Sequence, residues 1–143
     1  MAELSILDLL EPYRDSAWYP DIPASENEIA AAEAAVGHHF PEDYRLLALI
    51  GGGEIDGPES RVVLIPPKHL SQFNPEMERA PDLAELLIFA DDGGDYFYFY
   101  DPKNLLGRGA WAVFTVEMSV AARKHAIFVA RDFRWWNVLC SLQ

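Results

Sequence analysis

Four aspartates, Asp91, Asp92, Asp95 and Asp101, bracket Gly93, Gly94 and five consecutive aromatic residues in the stretch "FADDGGDYFYFYD". Clustered carboxylates can ligate a hard cation, work as general acid and base, or accept hydrogen bonds from turn amides. A calcium loop supplies about six to eight oxygen ligands from alternating positions and closes on a bidentate glutamate. Asp91, Asp92 and Asp95 do not follow that spacing, and no glutamate stands at the closing position. Glycosidic chemistry needs a carboxylate pair across a groove, and no second signal here points to one. A tight hairpin accounts for the same residues. Asp-Gly and Gly-Gly provide the positive φ of its central positions, and the aspartates cap turn amides or face water.

The remaining reactive residues form no catalytic constellation. His38, His39, His69 and His125 make no HExxH and no i, i+4 ligand pair, so zinc is not expected. Cys140, the single cysteine, falls among tryptophans in a terminal helical pattern and reads as a small core residue. The serines lack a GxSxG elbow. "GGGEIDG" is rich in glycine, but it follows a helix and carries acids that repel phosphate; it reads as a flexible helix exit with Glu54 and Asp56 as surface charge. No cofactor is expected, and the chain reads as a binding module rather than an enzyme.

Element patterns show what must position these residues. "LSILDLLEPY" has Ile6, Leu9, Leu10 and Tyr13 at helical spacing, and "WYPDIP" reads as an extended connector. Ser25 and Glu28 have capping-box spacing at the head of a helix that Gly37 stops. Pro41 fits the first position of the next helix, Tyr44, Leu47 and Ala48 its buried stripe, and Gly51, Gly52 and Gly53 its exit. "SRVVLIP", "ELLIFA", "DYFYFYD" and "GAWAVFTVEM" read as strands, and "PPKHLSQFNPEMERAP" as irregular with one helical turn. In "DYFYFYD", Tyr96, Tyr98 and Tyr100 share one face, while Phe97 and Phe99 face a core. The Tyr face is either covered by helices or open as a protein-binding surface. The chain closes in a helix, with Asp132 as its N-cap and Phe133 on its apolar stripe. Helices first, strands next and a last helix give an α+β class: a mainly antiparallel central sheet wrapped by helices, one domain over residues 1–143.

Composition bounds the function. Half of the 143 residues are hydrophobic and 13% are aromatic, enough for a core despite a net charge of −12. The charge is lopsided: Met1–Glu59 holds 13 acids against Arg14 and Arg45, whereas the remainder holds ten acids and nine bases. Nucleic-acid binding needs a basic footprint and is not expected. An acidic surface suits solubility or steering towards a basic protein. One cysteine, an acidic N-terminal stretch and no long apolar run imply a cytoplasmic protein with no membrane span.

Three ordered segments resemble the SUKH superfamily, the Smi/Knr cell-wall-regulator-like and immunity-protein family. "SENEIAAAEAAVGHHFPEDYRLLALIGGG" carries it through Gly37, Phe40, Pro41, Asp43, Tyr44, Gly52 and Gly53. "LLIFADDGGDYFYFYD" is similar to the family's strand, Asp/Gly turn and aromatic strand, and "IFVARDFRWWNVL" to its closing helix start, with Ala130, Asp132 and Phe133. Gly51 stands where the family often has Asn; both tolerate left-handed φ, so the fold is expected to hold. The resemblance is strongest over residues 25–143. It implies an α+β fold, no shared catalytic set and no enzymatic activity. It implies structural roles for Gly37, Pro41, Tyr44, Gly52, Gly53, Gly93, Gly94, Asp132 and Phe133. Many bacterial members look like immunity proteins that neutralise a nuclease or deaminase toxin, and fungal members like regulatory scaffolds. The expected partner is therefore a protein, a basic toxin domain first. Glu54, Asp56, Asp91, Asp92, Asp95, Tyr96 and Tyr98 are the candidate partner-binding residues. Oligomeric state stays open.

Overall fold

In the computed structural model the described residues are 18–56, 61–73, 83 and 85–131. The expected first helix at Ile6–Tyr13 and the closing helix with Asp132, Phe133 and Cys140 lie outside them.

Helix α1 spans Glu26–Val36. The Ser25 hydroxyl accepts from the Glu28 amide, and the Glu28 carboxylate accepts from the Ser25 amide at 3.1 Å, so the capping box is closed in both directions. Gly37 ends the helix at φ 79°, the left-handed conformation in which its amide returns to the Glu33 carbonyl. Helix α2 spans Glu42–Ile50, with Pro41 one residue earlier than expected, at the cap with extended ψ. Glu33 ties the two helices: its carboxylate accepts from the Phe40 amide at 2.7 Å and from Arg45 at 3.5 Å. Helix α3, Pro67–Phe73, is longer than the single turn read from the sequence.

Among the described residues seven strands form one antiparallel meander whose spatial order follows the sequence: β1 Trp18–Tyr19, β2 Glu54–Asp56, β3 Arg61–Leu64, β4 Leu87–Asp91, β5 Tyr96–Asp101, β6 Ala112–Glu117 and β7 Ile127–Ala130. With α1–α3 this is the expected α+β architecture. Three strands depart from the sequence reading. β1 forms inside the supposed connector, β2 begins where a flexible exit was expected, and β7 precedes the closing segment. β1 and β2 are too short for a periodic signal to show. They pair because the triple glycine turns the chain back beside Tyr19–Asp21: Asp21 donates to the Gly51 carbonyl at 3.1 Å, and Tyr19 registers with Glu54.

That close approach also corrects the expectation for Gly51. Its φ is 122°, outside the left-handed well that Asn tolerates, and a Cβ there would strike the Asp21 carbonyl. Gly53, at φ 79°, would put a Cβ into the Tyr19 carbonyl.

The core fills both faces of the central strands. Leu87 registers with Tyr100, so Phe89, two residues on, lies on the Tyr face, where it stacks on Tyr100 at 4.0 Å and meets the edge of Tyr44 from α2; the register shift between Ile88 and Ala90 falls at this residue. The Tyr44 hydroxyl donates to the Ile65 carbonyl at 2.6 Å, pinning α2 to the segment after β3. On the opposite face Phe99 stacks on Phe114, which meets Phe128 edge-on.

Candidate functional site

The hairpin between β4 and β5 is built by its own aspartates. Asp91 accepts from the Gly93 amide at 2.7 Å. Asp92 accepts from Gly94 at 2.9 Å and Tyr96 at 3.1 Å, and its own amide donates to the Tyr96 carbonyl. Gly93 takes φ 78°, as the turn requires. The Asp95 carbonyl accepts from the Met118 amide at 2.7 Å, which anchors the turn to the end of β6. Two aspartates thus shape the turn while their charge stays at the protein surface, and Asp95 is exposed.

Sheet register brings the second acidic group alongside. Glu54 pairs with Val63, Val63 pairs with Asp91, and Asp91 pairs with Phe97. Directly opposed residues share a face, so Glu54 and Asp91 project from the same side two strands apart. Asp56 follows Glu54 at strand spacing and shares that side. Arg61 sits between the groups: its Nε lies 3.5 Å from Glu54 and 3.3 Å from Asp56, and a Cβ on Gly93 would be 3.3 Å from its Nη1. Arg61 thus pairs with Glu54 and Asp56, while the Asp91 and Asp92 carboxylates turn to the hairpin amides and Asp95 is exposed.

The two candidate tyrosines part company. Tyr96 is 37% exposed at the hairpin mouth, whereas Tyr98 is 6% exposed and supports the turn from inside. Burial, with the repulsion of Asp92 and Asp91 added, pushes the Tyr98 phenol up to about 12. On the Tyr face, then, only the end nearest the turn is open.

Two features escaped the sequence reading. Sequence alone marks Arg61 only as a strand residue, although its spacing from Val63 sets it on a shared face. Asp101 was one of four aspartates, yet it is wholly buried and organises the next loop. It accepts from the amides of Leu105 at 3.0 Å and Leu106 at 2.8 Å, and its carbonyl accepts from Trp111. A wholly buried carboxylate receiving two loop amides at a strand end acts as a connector between strand and loop. The Trp111 ring then meets His38 and Tyr100 edge-on, and burial followed by the Lys103 charge lowers the His38 pKa. Among the described residues no group of three His, Cys, Asp or Glu side chains could hold a metal ion. Among them, too, no helix is long and apolar enough to cross a membrane.

Comparison with known proteins agrees with the architecture. No curated protein matches the chain. The sequence model of the SMI1 / KNR4 family (SUKH-1) matches residues 23–136, from just before the α1 cap through β2–β7. The chain belongs to the SMI1 / KNR4 family (SUKH-1).

Proposed function

We propose that this protein is a non-catalytic binding module that neutralises a basic protein partner, a nuclease or deaminase toxin, by covering its nucleic-acid-binding cleft. One observation carries the reading: Glu54, Asp56 and Asp91, from two sequence regions, project from one side of the sheet, where Arg61 bridges Glu54 and Asp56 and the hairpin adds Asp92 and Asp95 next to Asp91 in the chain. An acidic patch on a rigid sheet steers a basic partner and speeds the encounter. Tyr96, partly exposed where the hairpin turns, lies on the opposite face of the sheet from Glu54 and Asp91, so it adds an aromatic contact to a partner that wraps the hairpin. Family membership supports both a Smi/Knr-like module and an immunity protein. Association through this surface loses strength with salt, because exposed charges are screened within about 10 Å at 0.1 M.

The test has two stages. The chain is used to capture partners from the source organism's lysate at low and moderate salt, and the captured protein is then expressed in cells with and without this chain. Rescue of growth supports immunity. A harmless partner from envelope synthesis or signalling favours the second reading in this family, a regulatory scaffold.

A further inference from the structure

A cavity of about 460 Å³ lies away from the acidic hairpin. The hairpin tip is beside Arg61, beyond the Asp56 end of β2, whereas the cavity opens beyond the Glu54 end, at Gly51–Gly53. Its volume is that of a small-molecule site, roughly 300–1,000 Å³, and far above the roughly 30 Å³ share of one water. Tyr44, Ala48, Leu64 and Ile65, all buried, give it an apolar floor.

The walls are fixed in place. Asp21 is tied to Gly51, Ala24 donates to the Ala48 carbonyl at 2.8 Å, and Tyr44 holds Ile65 at 2.6 Å. Three chain segments are therefore fastened around the opening before anything enters, and a preformed site loses little to ordering on binding. Pro23, Pro66 and Pro67 stiffen two of those segments.

The rim carries both signs of charge: the carboxylates of Asp21 and Glu28, the ammonium of Lys68 and the imidazole of His69. Each carboxylate uses one oxygen locally, Asp21 Oδ1 on the Ile22 amide and Glu28 Oε1 on the Ser25 amide. The second oxygen of each can accept from a bound ammonium. Mixed charge around an apolar floor suits a molecule that carries an ammonium, a carboxylate and an apolar side chain together.

We propose that this cavity binds a free amino acid or short peptide with an apolar side chain. The ligand ammonium meets Asp21 and Glu28, its carboxylate meets Lys68, and its side chain lies on Tyr44, Ala48 and Leu64. The site does not depend on the acidic hairpin or on the partner bound there.

The test is an amide-resolved NMR titration of the full chain with L-leucyl-L-leucine. Saturable shifts at Gly51–Gly53 and Lys68, with a dissociation constant below about 1 mM, are expected. The N-acetylated, C-amidated dipeptide, which keeps the side chains but loses both charges, should bind about tenfold or more weakly. K68E should weaken the free dipeptide similarly while its thermal midpoint stays near wild type. No saturable shift up to about 10 mM dipeptide, a concentration well above the weakest affinity expected, would overturn the proposal. Equal binding of the free and the blocked dipeptide would overturn it as well.

Discussion

Glu54 and Asp91 stand in one cross-strand row with Val63 between them, although 36 residues separate them in sequence. Arg61 tempers the patch they share, bridging to Glu54 and Asp56. Opposite charge changes should therefore have opposite kinetic effects. Asn at Asp91, Asp92 and Asp95 together keeps the Oδ1 acceptors that shape the turn while removing three charges. That variant should associate with a basic partner about tenfold more slowly at low salt, with a flatter salt dependence and an unchanged fold. R61A should associate faster than wild type. Stopped-flow association at several salt concentrations reads both; a slower R61A would remove steering as the cause.

Glycine substitutions should separate backbone conformation from backbone collision. Gly37 has a positive φ but open space around it, so G37A should cost about 1 kcal/mol. G53A adds a clash with the Tyr19 carbonyl, and G51A one with the Asp21 carbonyl. Each should cost about 3 kcal/mol or more, and separate β1 from β2. Urea unfolding gives the ranking.

Asp101 should be far less tolerant than the hairpin aspartates, despite sharing their sequence neighbourhood. Its two oxygens each receive an amide from the loop. D101N sets an amide NH₂ against one of those donors and should cost about 2 kcal/mol; D101A leaves both donors unpaired and should cost more. Loss of near-UV Trp111 signal, by circular dichroism, would accompany the change.

Tyr98 should titrate at about 12, and less protein should stay folded as pH rises. A phenol whose folded pKa lies above its unfolded value, about 10, stabilises fully below that value. The contribution is lost between about 10 and 12, as the unfolded chain gives up a proton that the folded chain still holds. The D91N/D92N double variant should lower the Tyr98 pKa without restoring it to normal, because burial is the larger cause. Absorbance of tyrosinate, compared with Y98F, measures it.

Much of this was legible in local chemistry. Ser25 and Glu28 announced the head of α1, Gly37 its end, and the Asp-Gly-Gly-Asp run its hairpin, since each rests on a side-chain hydrogen bond or a φ preference within a few residues. What was missed depended on distant segments. β1 and β2 owe their pairing to Gly51 and Gly53 meeting Tyr19–Asp21 some 30 residues away, and the same encounter excludes Asn at Gly51. The candidate acids were identifiable by charge, but the alignment of Glu54 with Asp91 and the pairing of Arg61 with Glu54 and Asp56 were not, because register follows from the whole meander. The alternation in "YFYFY" separated two faces correctly, yet it could not show that Tyr98 would be covered and Tyr96 left open.

The most direct measurement is a paired capture from the source organism's lysate, at low and moderate salt, with the native chain and the D91N/D92N/D95N variant as baits. The expected result is one stoichiometric basic protein on the native chain at low salt, reduced at moderate salt and depleted on the variant. Equal recovery of the same partner by both baits at both salts would contradict an interface built on the acidic sheet surface.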